Sequence, residues 1–360
     1  MRAYVSISAH GFGHLAQVAP VVLALRRRLP DLEVIVRSGL PPEALKKALP
    51  DAHIEPCDHD FGIPMRGIYC SPADQILRVW QNQLAQADQI QDRIATRLRL
   101  KKIDFVVSGI SPWPLSAAEG LGIPSFGIGS FSWSGILRRI LTNESAVVEI
   151  TRALDMAYSK ASALFALTPG LGMDNLPTLA ISHSIVRRGQ PQRADILSIA
   201  KSDANAKIIL LAFGGMTPIE MPDIAESADS CLLLSPTNWA AKGLGRATDS
   251  FPLPFENVIA SADLVVSKAG YGIATELAAL GTPSILIRRE DWPEDQSIME
   301  WLSRYSSCTA VTGMRDITTP LLQGKLRAVR KSTPPAEGGE ELIADHIVGK
   351  MLGTCRKPPQ

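Results

Sequence analysis

A chain of 360 residues is long for one hydrophobic core and comfortable for two α/β domains. Apolar residues make up 46% and charged residues 20%, and 37 Lys plus Arg nearly balance 36 Asp plus Glu. The net charge of +1 exerts no long-range pull on nucleic acid, so any anion recognition must be local.

The five cysteines (Cys57, Cys70, Cys231, Cys308, Cys355) are odd in number, far apart and without a C-x-x-C pair. That spacing argues against a disulfide framework or zinc knuckle and for a reducing, cytoplasmic setting. The N-terminus is too short and polar for a signal segment, and no apolar run reaches the roughly 18 residues of a membrane span.

In chain order, short apolar runs predict strands at 3–8, 33–37, 105–108, 125–128 and 163–167, then at 207–212, 231–234, 264–267, 284–287 and 308–311. Helical patterns lie between them at 15–29, 73–100, 145–160, 273–280 and 295–304. Most of the runs are continuously apolar, which predicts parallel strands covered on both faces and hence doubly wound α/β domains. The chain turns polar and basic over 186–205, before the pattern restarts. The expected domains are therefore 1–187 and 188–353, with a frayed tail at 354–360. Arg26, Arg27 and Arg28 read as a solvated helix end complementing the dipole.

Four segments carry chemistry. Ser8-Ala9-His10-Gly11-Phe12-Gly13-His14 joins the first strand to the first helix, where glycines admit a ligand and the helix start offers N–H groups to an anion. It has no Gly-Lys-Ser/Thr, and the second strand ends in Arg37-Ser38 rather than an acid, so neither a P-loop nor a dinucleotide site is expected. His14 is a candidate base; His10 reads equally as a local hydrogen-bonding residue. The two histidines lack a third ligand, and no metal site is expected.

The second segment, Lys268-Ala269-Gly270-Tyr271-Gly272, follows an apolar strand and opens a helix, a geometry that presents N–H groups to a pyrophosphate. Glu276, one turn further, is either a ribose ligand or a solvated carboxylate. The third, Phe213-Gly214-Gly215-Met216-Thr217, is another strand-to-glycine turn. In the fourth, Asp295 and Gln296 open a helix and are sugar-contact candidates, with a plain N-cap as the alternative for Asp295. The Asp58-His59-Asp60 triplet has metal-type spacing but sits among loop residues. Residues 130–141 mix apolar side chains with Arg138 and Arg139, compatible with an acceptor or lipid surface or with ordinary packing.

Together these segments resemble glycosyltransferases of the GT-B fold, two Rossmann-like domains facing across a cleft. The stretch 262–283 is similar to the donor-binding region of the N-acetylglucosaminyltransferase that makes lipid II. The residues His10-Gly11-Phe12-Gly13-His14 and Phe131-Ser132-Trp133 resemble the glycosyltransferase-like domain of plant L-arabinokinases. The resemblance implies that Gly214, Gly215, Gly270 and Tyr271 face the diphosphate, Glu276 binds the ribose, and Asp295 and Gln296 touch the sugar. Lys268 stands where relatives carry Arg. The implied activity is metal-independent transfer from a nucleotide-diphosphate sugar, UDP-linked, to an unidentified hydroxyl, with His14 as base and no cofactor. Nucleotide-sugar hydrolysis or epimerisation, and a non-catalytic nucleotide-sugar sensor, are the alternatives.

Overall fold

The computed structural model describes residues 1–57, 62–141, 145–216, 218–222, 224, 231–328, 331 and 333–353. Thr217, the Asp58-His59-Asp60 triplet and the tail 354–360 lie outside them. The chain divides into two units: Met1–Met65 with Cys70–Ile185 and Glu337–Gln360, and Arg66–Tyr69 with Val186–Ala336.

In the first unit, β1 (Arg2–Ile7), α1 (Gly13–Arg28), β2 (Glu33–Ser38), α2 (Pro42–Ala48) and β3 (His53–Pro56) come first. A short hairpin follows, β4 (Met65–Arg66) with β5 (Tyr69–Cys70). Then come α3 (Ala73–Ala85), α4 (Ala87–Leu100), β6 (Phe105–Gly109), α5 (Trp113–Glu119), β7 (Ser125–Gly129), α6 (Trp133–Ile140), α7 (Ser145–Tyr158), β8 (Ala163–Leu167) and β9 (Leu179–Ile181). The sheet is parallel, in the order β3-β2-β1-β6-β7-β8-β9. Its central strands are buried nearly throughout, as continuously apolar runs between two helix layers require.

The second unit runs α8 (Arg193–Ala200), β10 (Lys207–Ala212), β11 (Cys231–Ser235), α9 (Thr237–Ala240), β12 (Arg246–Ala247), α10 (Phe255–Ser261), β13 (Leu264–Lys268), α11 (Tyr271–Leu280), β14 (Ser284–Ile287), α12 (Glu294–Leu302), β15 (Cys308–Val311) and α13 (Thr319–Leu326). Its parallel sheet has the order β12-β11-β10-β13-β14-β15. Each unit thus places its first strand centrally, with the next strands added on one side before the chain crosses to the other, the doubly wound arrangement. Two apolar clusters line the two faces of the second sheet, one around Leu210, Val265 and Leu277, the other around Leu211, Val266 and Ile285.

Two expectations need correction. The 73–100 pattern is two helices rather than one, separated at Gln86, whose backbone leaves the helical region at φ −101° and ψ 1°. The buried stripe Ile76, Trp80, Gln83, Ala87, Ile90, Ile94 continues through the break, and neither Gly nor Pro marks it. The domain change falls at 185/186, but the chain after 336 returns to the first unit, where α14 (Gly339–Met351) packs on α1. Its Glu341 pairs with Arg27 and, at 2.6 Å, with Arg28, while Asp345 pairs with Arg28 at 2.7 Å. The basic run of α1 is therefore a docking seam for the last helix as well as a dipole complement. No helix among the described residues is long and apolar enough to cross a membrane.

Candidate functional site

In the second unit the strand order reverses between β10 and β13, the position where doubly wound sheets open a crevice beyond their strand ends. Ala212 pairs with Ser267, and Lys268 with Ile287. The turns that begin at Phe213, Ala269 and Arg288 consequently leave three neighbouring strands at one edge. Ser267 locks two of them together by donating its hydroxyl to the Ala212 carbonyl.

Gly214 and Gly215 both take positive φ, +63° and +82°, which a side chain would resist. A Cβ on Gly214 would still meet nothing within 4 Å, so the strain-tolerant turn also leaves open space above it. Phe213 anchors the turn from below, its ring 5.4 Å from that of Trp239. The Met216 N–H closes the turn on the Phe213 carbonyl at 3.2 Å.

Helix α11 begins at Tyr271 behind Gly270, and no side chain caps its N-terminus. The first-turn N–H groups of a ten-residue helix are thus left without a side-chain cap at the switch point. Lys268 reaches the same place: a Cβ built on Gly270 would lie 3.5 Å from its Nζ. Burial, and then the nearby Arg289 guanidinium, push the Lys268 ammonium down to about 8. Asp295 and Glu294 oppose that shift without cancelling it.

Glu276 is 2% exposed, so the solvated-carboxylate alternative is not what the structure contains. Its Oε1 accepts from Arg187 Nε at 2.7 Å, with Nη2 at 2.5 Å. Its Oε2 is buried with no hydrogen-bond partner among the described residues. Burial pushes the carboxyl up to about 7 despite Arg187.

Asp295 is not the N-cap that the sequence offered as its alternative role. It is 1% exposed, and the N-cap position of α12 belongs to Pro293. Asp295 Oδ2 accepts from the Arg289 N–H at 2.8 Å and Nε at 2.9 Å, and Oδ1 accepts from Nη2. The carboxylate is held inside the protein by Arg289. Gln296 is exposed and donates to Glu300 along the helix at 2.8 Å.

In the first unit the loop after β1 occupies the equivalent switch point, between β1 and β6. Gly11 takes φ +69°, Gly13 is exposed with open space where a Cβ would be, and no side chain caps α1. His14 is 3% exposed, its ring edge-on to Phe131 at 5.5 Å and Trp133 at 5.8 Å. His10 is part-exposed and edge-on to Trp133 at 5.2 Å. Both histidines therefore belong to one aromatic cluster, which the Phe131-Ser132-Trp133 segment supplies from the end of β7.

That segment otherwise follows the packing alternative. Ser132 caps α6 by accepting from the Gly135 N–H at 3.1 Å, and Trp133, Ile136 and Leu137 are buried. Arg138 pairs with Asp155, and Arg139 with Asp174 at 2.9 Å. Three residues that sequence reasoning left without a role emerge at these sites. Arg187 meets Glu276 from 89 positions away, a separation no local pattern reveals. Arg289 reaches the Ala269 carbonyl at 2.9 Å and so ties the α11 turn to the α12 turn. Ile110, following β6 at the first switch point, is fully buried at φ +70°, a conformation rare for a β-branched residue.

The glycosyltransferase family 28 C-terminal domain matches residues 246–298, a segment that contains Lys268, Gly270, Glu276, Asp295 and Arg289. The L-arabinokinase of Arabidopsis thaliana is 24% identical over 365 residues, covering 95% of this chain, and the chain spans only 33% of that protein's length. The UDP-N-acetylglucosamine--N-acetylmuramyl-(pentapeptide) pyrophosphoryl-undecaprenol N-acetylglucosamine transferase of Porphyromonas gingivalis is 23% identical over 322 residues, covering 83% of this chain and 79% of its own. The crystal structure of the glycosyltransferase VinC in complex with DTDP superimposes with a TM-score of 0.56 at 16% identity, covering 98% of this chain and 99% of that one. The chain therefore has the GT-B glycosyltransferase fold and resembles, in the segment that carries its α11 turn, the C-terminal domain of glycosyltransferase family 28.

Proposed function

We propose that this chain transfers a sugar from a nucleotide-diphosphate sugar, UDP-linked, to an acceptor hydroxyl without a metal ion, with His14 as the base. The observation that carries this reading is the meeting, at one edge of the second sheet, of two glycine turns, an uncapped helix N-terminus and Lys268, with the buried Glu276 in the helix that follows. Preorganised N–H groups and a cation stabilise a departing diphosphate, which is where negative charge grows as the glycosidic bond breaks. The acceptor oxygen forms the new bond to the anomeric carbon, the diphosphate leaves with the old bonding pair, and the hydroxyl proton passes to the imidazole.

The test is a thermal-shift panel of UDP-, GDP- and dTDP-sugars, followed by product analysis with and without hydroxyl acceptors. A specific donor at a hundredfold excess over its Kd stabilises the native state by about 2.7 kcal/mol. Transfer to an added acceptor is the expected product. Free sugar without acceptor would point to hydrolysis, a new sugar isomer to epimerisation, and intact donor after tight binding to a sensor. No stabilisation by any nucleotide sugar overturns the reading.

A further inference from the structure

The Glu276 carboxylate is asymmetric in a way that the proposed ribose contact alone does not require. One oxygen is doubly engaged by Arg187, at 2.7 and 2.5 Å, while the other is buried and accepts nothing from the described residues. Burying a polar atom without a partner is costly, the more so for a charged one, so such an atom calls for an explanation. Arg187 lies on the segment between β9 and α8, outside the sheet, and its side chain is about one-third exposed.

We propose that Arg187 is a positioning residue: by pinning Oε1 it keeps the buried Glu276 ionised and oriented, so that Oε2 is the acceptor left for a hydroxyl of the nucleotide ribose. The inference rests on the nucleotide-sugar reading above and assigns a determinant of it outside the helix that bears the carboxylate. The charges acting on Glu276 support it. Burial drives the carboxyl up to about 7, Arg187 opposes that shift, and Glu256 on α10 adds to it. Helix α12 meets α11 through apolar residues such as Ile298 and Leu302 in their shared core. Arg187 is thus the favourable charge at a carboxylate that burial and Glu256 push toward neutrality. A protonated Glu276 loses the charge-assisted part of its hydrogen bond to a hydroxyl.

The experiment is calorimetric titration of the full chain with UDP between about pH 6 and about pH 9, for the unmodified protein, Arg187→Gln, Arg187→Lys and Glu276→Gln, with circular dichroism to establish folding. In the unmodified protein, affinity should rise with pH through about 7, before the fall that loss of the Lys268 charge brings near 8. Relative to the unmodified protein at the same pH, Arg187→Gln should lose about tenfold to a hundredfold near neutrality, the worth of a hydrogen bond to a charged group, and much less at the alkaline end. Arg187→Lys, which keeps the charge, should fall between them, and Glu276→Gln should be weak and lack the rise through about 7. Wild-type affinity in Arg187→Gln at every pH overturns the proposal, as does a loss of equal size at every pH. If the unmodified protein binds none of UDP, GDP and dTDP, the nucleotide reading fails first. The carboxylate infrared band lost in Glu276→Gln, titrated in the unliganded protein and in Arg187→Gln, then still decides whether Arg187 holds Glu276 ionised: an unmoved midpoint overturns that role.

Discussion

The guanidinium of Arg289 and the carboxylate of Asp295 form a fully buried pair, 3% and 1% exposed, that joins the turn after β14 to the start of α12. The same guanidinium donates to the Ala269 carbonyl at 2.9 Å and stacks 5.1 Å over the Trp292 ring. One side chain thereby holds two of the three turns at that edge of the second sheet.

Removing one partner of such a pair strands the other. Asp295→Ala should destabilise the second unit by about 3–5 kcal/mol, read by urea denaturation, because Arg289 is left charged and buried. The paired replacement Arg289→Met with Asp295→Leu should recover most of that loss. It should nevertheless bind UDP more weakly, since the Ala269 carbonyl loses its donor. Equal stability of Asp295→Ala and the unmodified protein would contradict the arrangement.

Lys268 should give diphosphate binding an alkaline limit. Its ammonium is pushed down to about 8 by burial and by Arg289, so the charge that attracts a diphosphate disappears as pH rises through that value. UDP affinity should fall by roughly tenfold across this range, about 1.4 kcal/mol. Lys268→Arg should abolish the fall, because a guanidinium stays protonated. Lys268→Met should be weak throughout. Calorimetry at a series of pH values distinguishes the three.

Glu276 should leave a second mark, on stability. Its folded-state carboxyl sits at about 7 against an ordinary 4.5, so the native state holds a proton that the unfolded chain has already released. Its contribution is fully present below about 4.5 and lost as pH rises through about 7, a loss of about 3 kcal/mol for a gap of that size. Glu276→Gln, which has no proton to lose, should flatten that part of the stability profile. An unchanged slope between the two values would be evidence against a raised carboxyl.

His14→Ala should reduce turnover about 10²- to 10⁴-fold with little change in UDP affinity. Because the His14 ring packs edge-on to Phe131 and Trp133, the alanine also removes buried contacts. His14→Phe preserves an aromatic ring there and should keep the fold while remaining slow. Full activity in His14→Phe would assign His14 to packing alone.

The strands and turns were legible for a local reason. A parallel strand buried on both faces must be a continuous apolar run, and a turn that approaches a ligand tolerates little beyond glycine and small residues. Lys207–Ala212 followed by Gly214-Gly215, and Leu264–Lys268 followed by Gly270, satisfy both conditions within a dozen residues. The short edge strands Leu179–Ile181 and Arg246–Ala247 escaped because two or three residues carry no period. The break at Gln86 escaped because the buried stripe runs through it unaltered.

By itself, then, the sequence determined the alternation of strand and helix, the restart near residue 186, and which turns have backbone freedom and an uncapped helix behind them, since each depends on neighbours a few residues apart. Tertiary structure alone decided that β10 and β13 are adjacent, that Asp295 belongs to Arg289, that Glu276 shares its charge with Arg187, and that α14 returns to α1. Strand order and ion pairs, whether buried like Arg289–Asp295 or exposed like Arg28–Asp345, join residues separated by anything from six to more than three hundred positions. Their energies come from desolvation and charge at contact distance, quantities that exist only once the chain has folded.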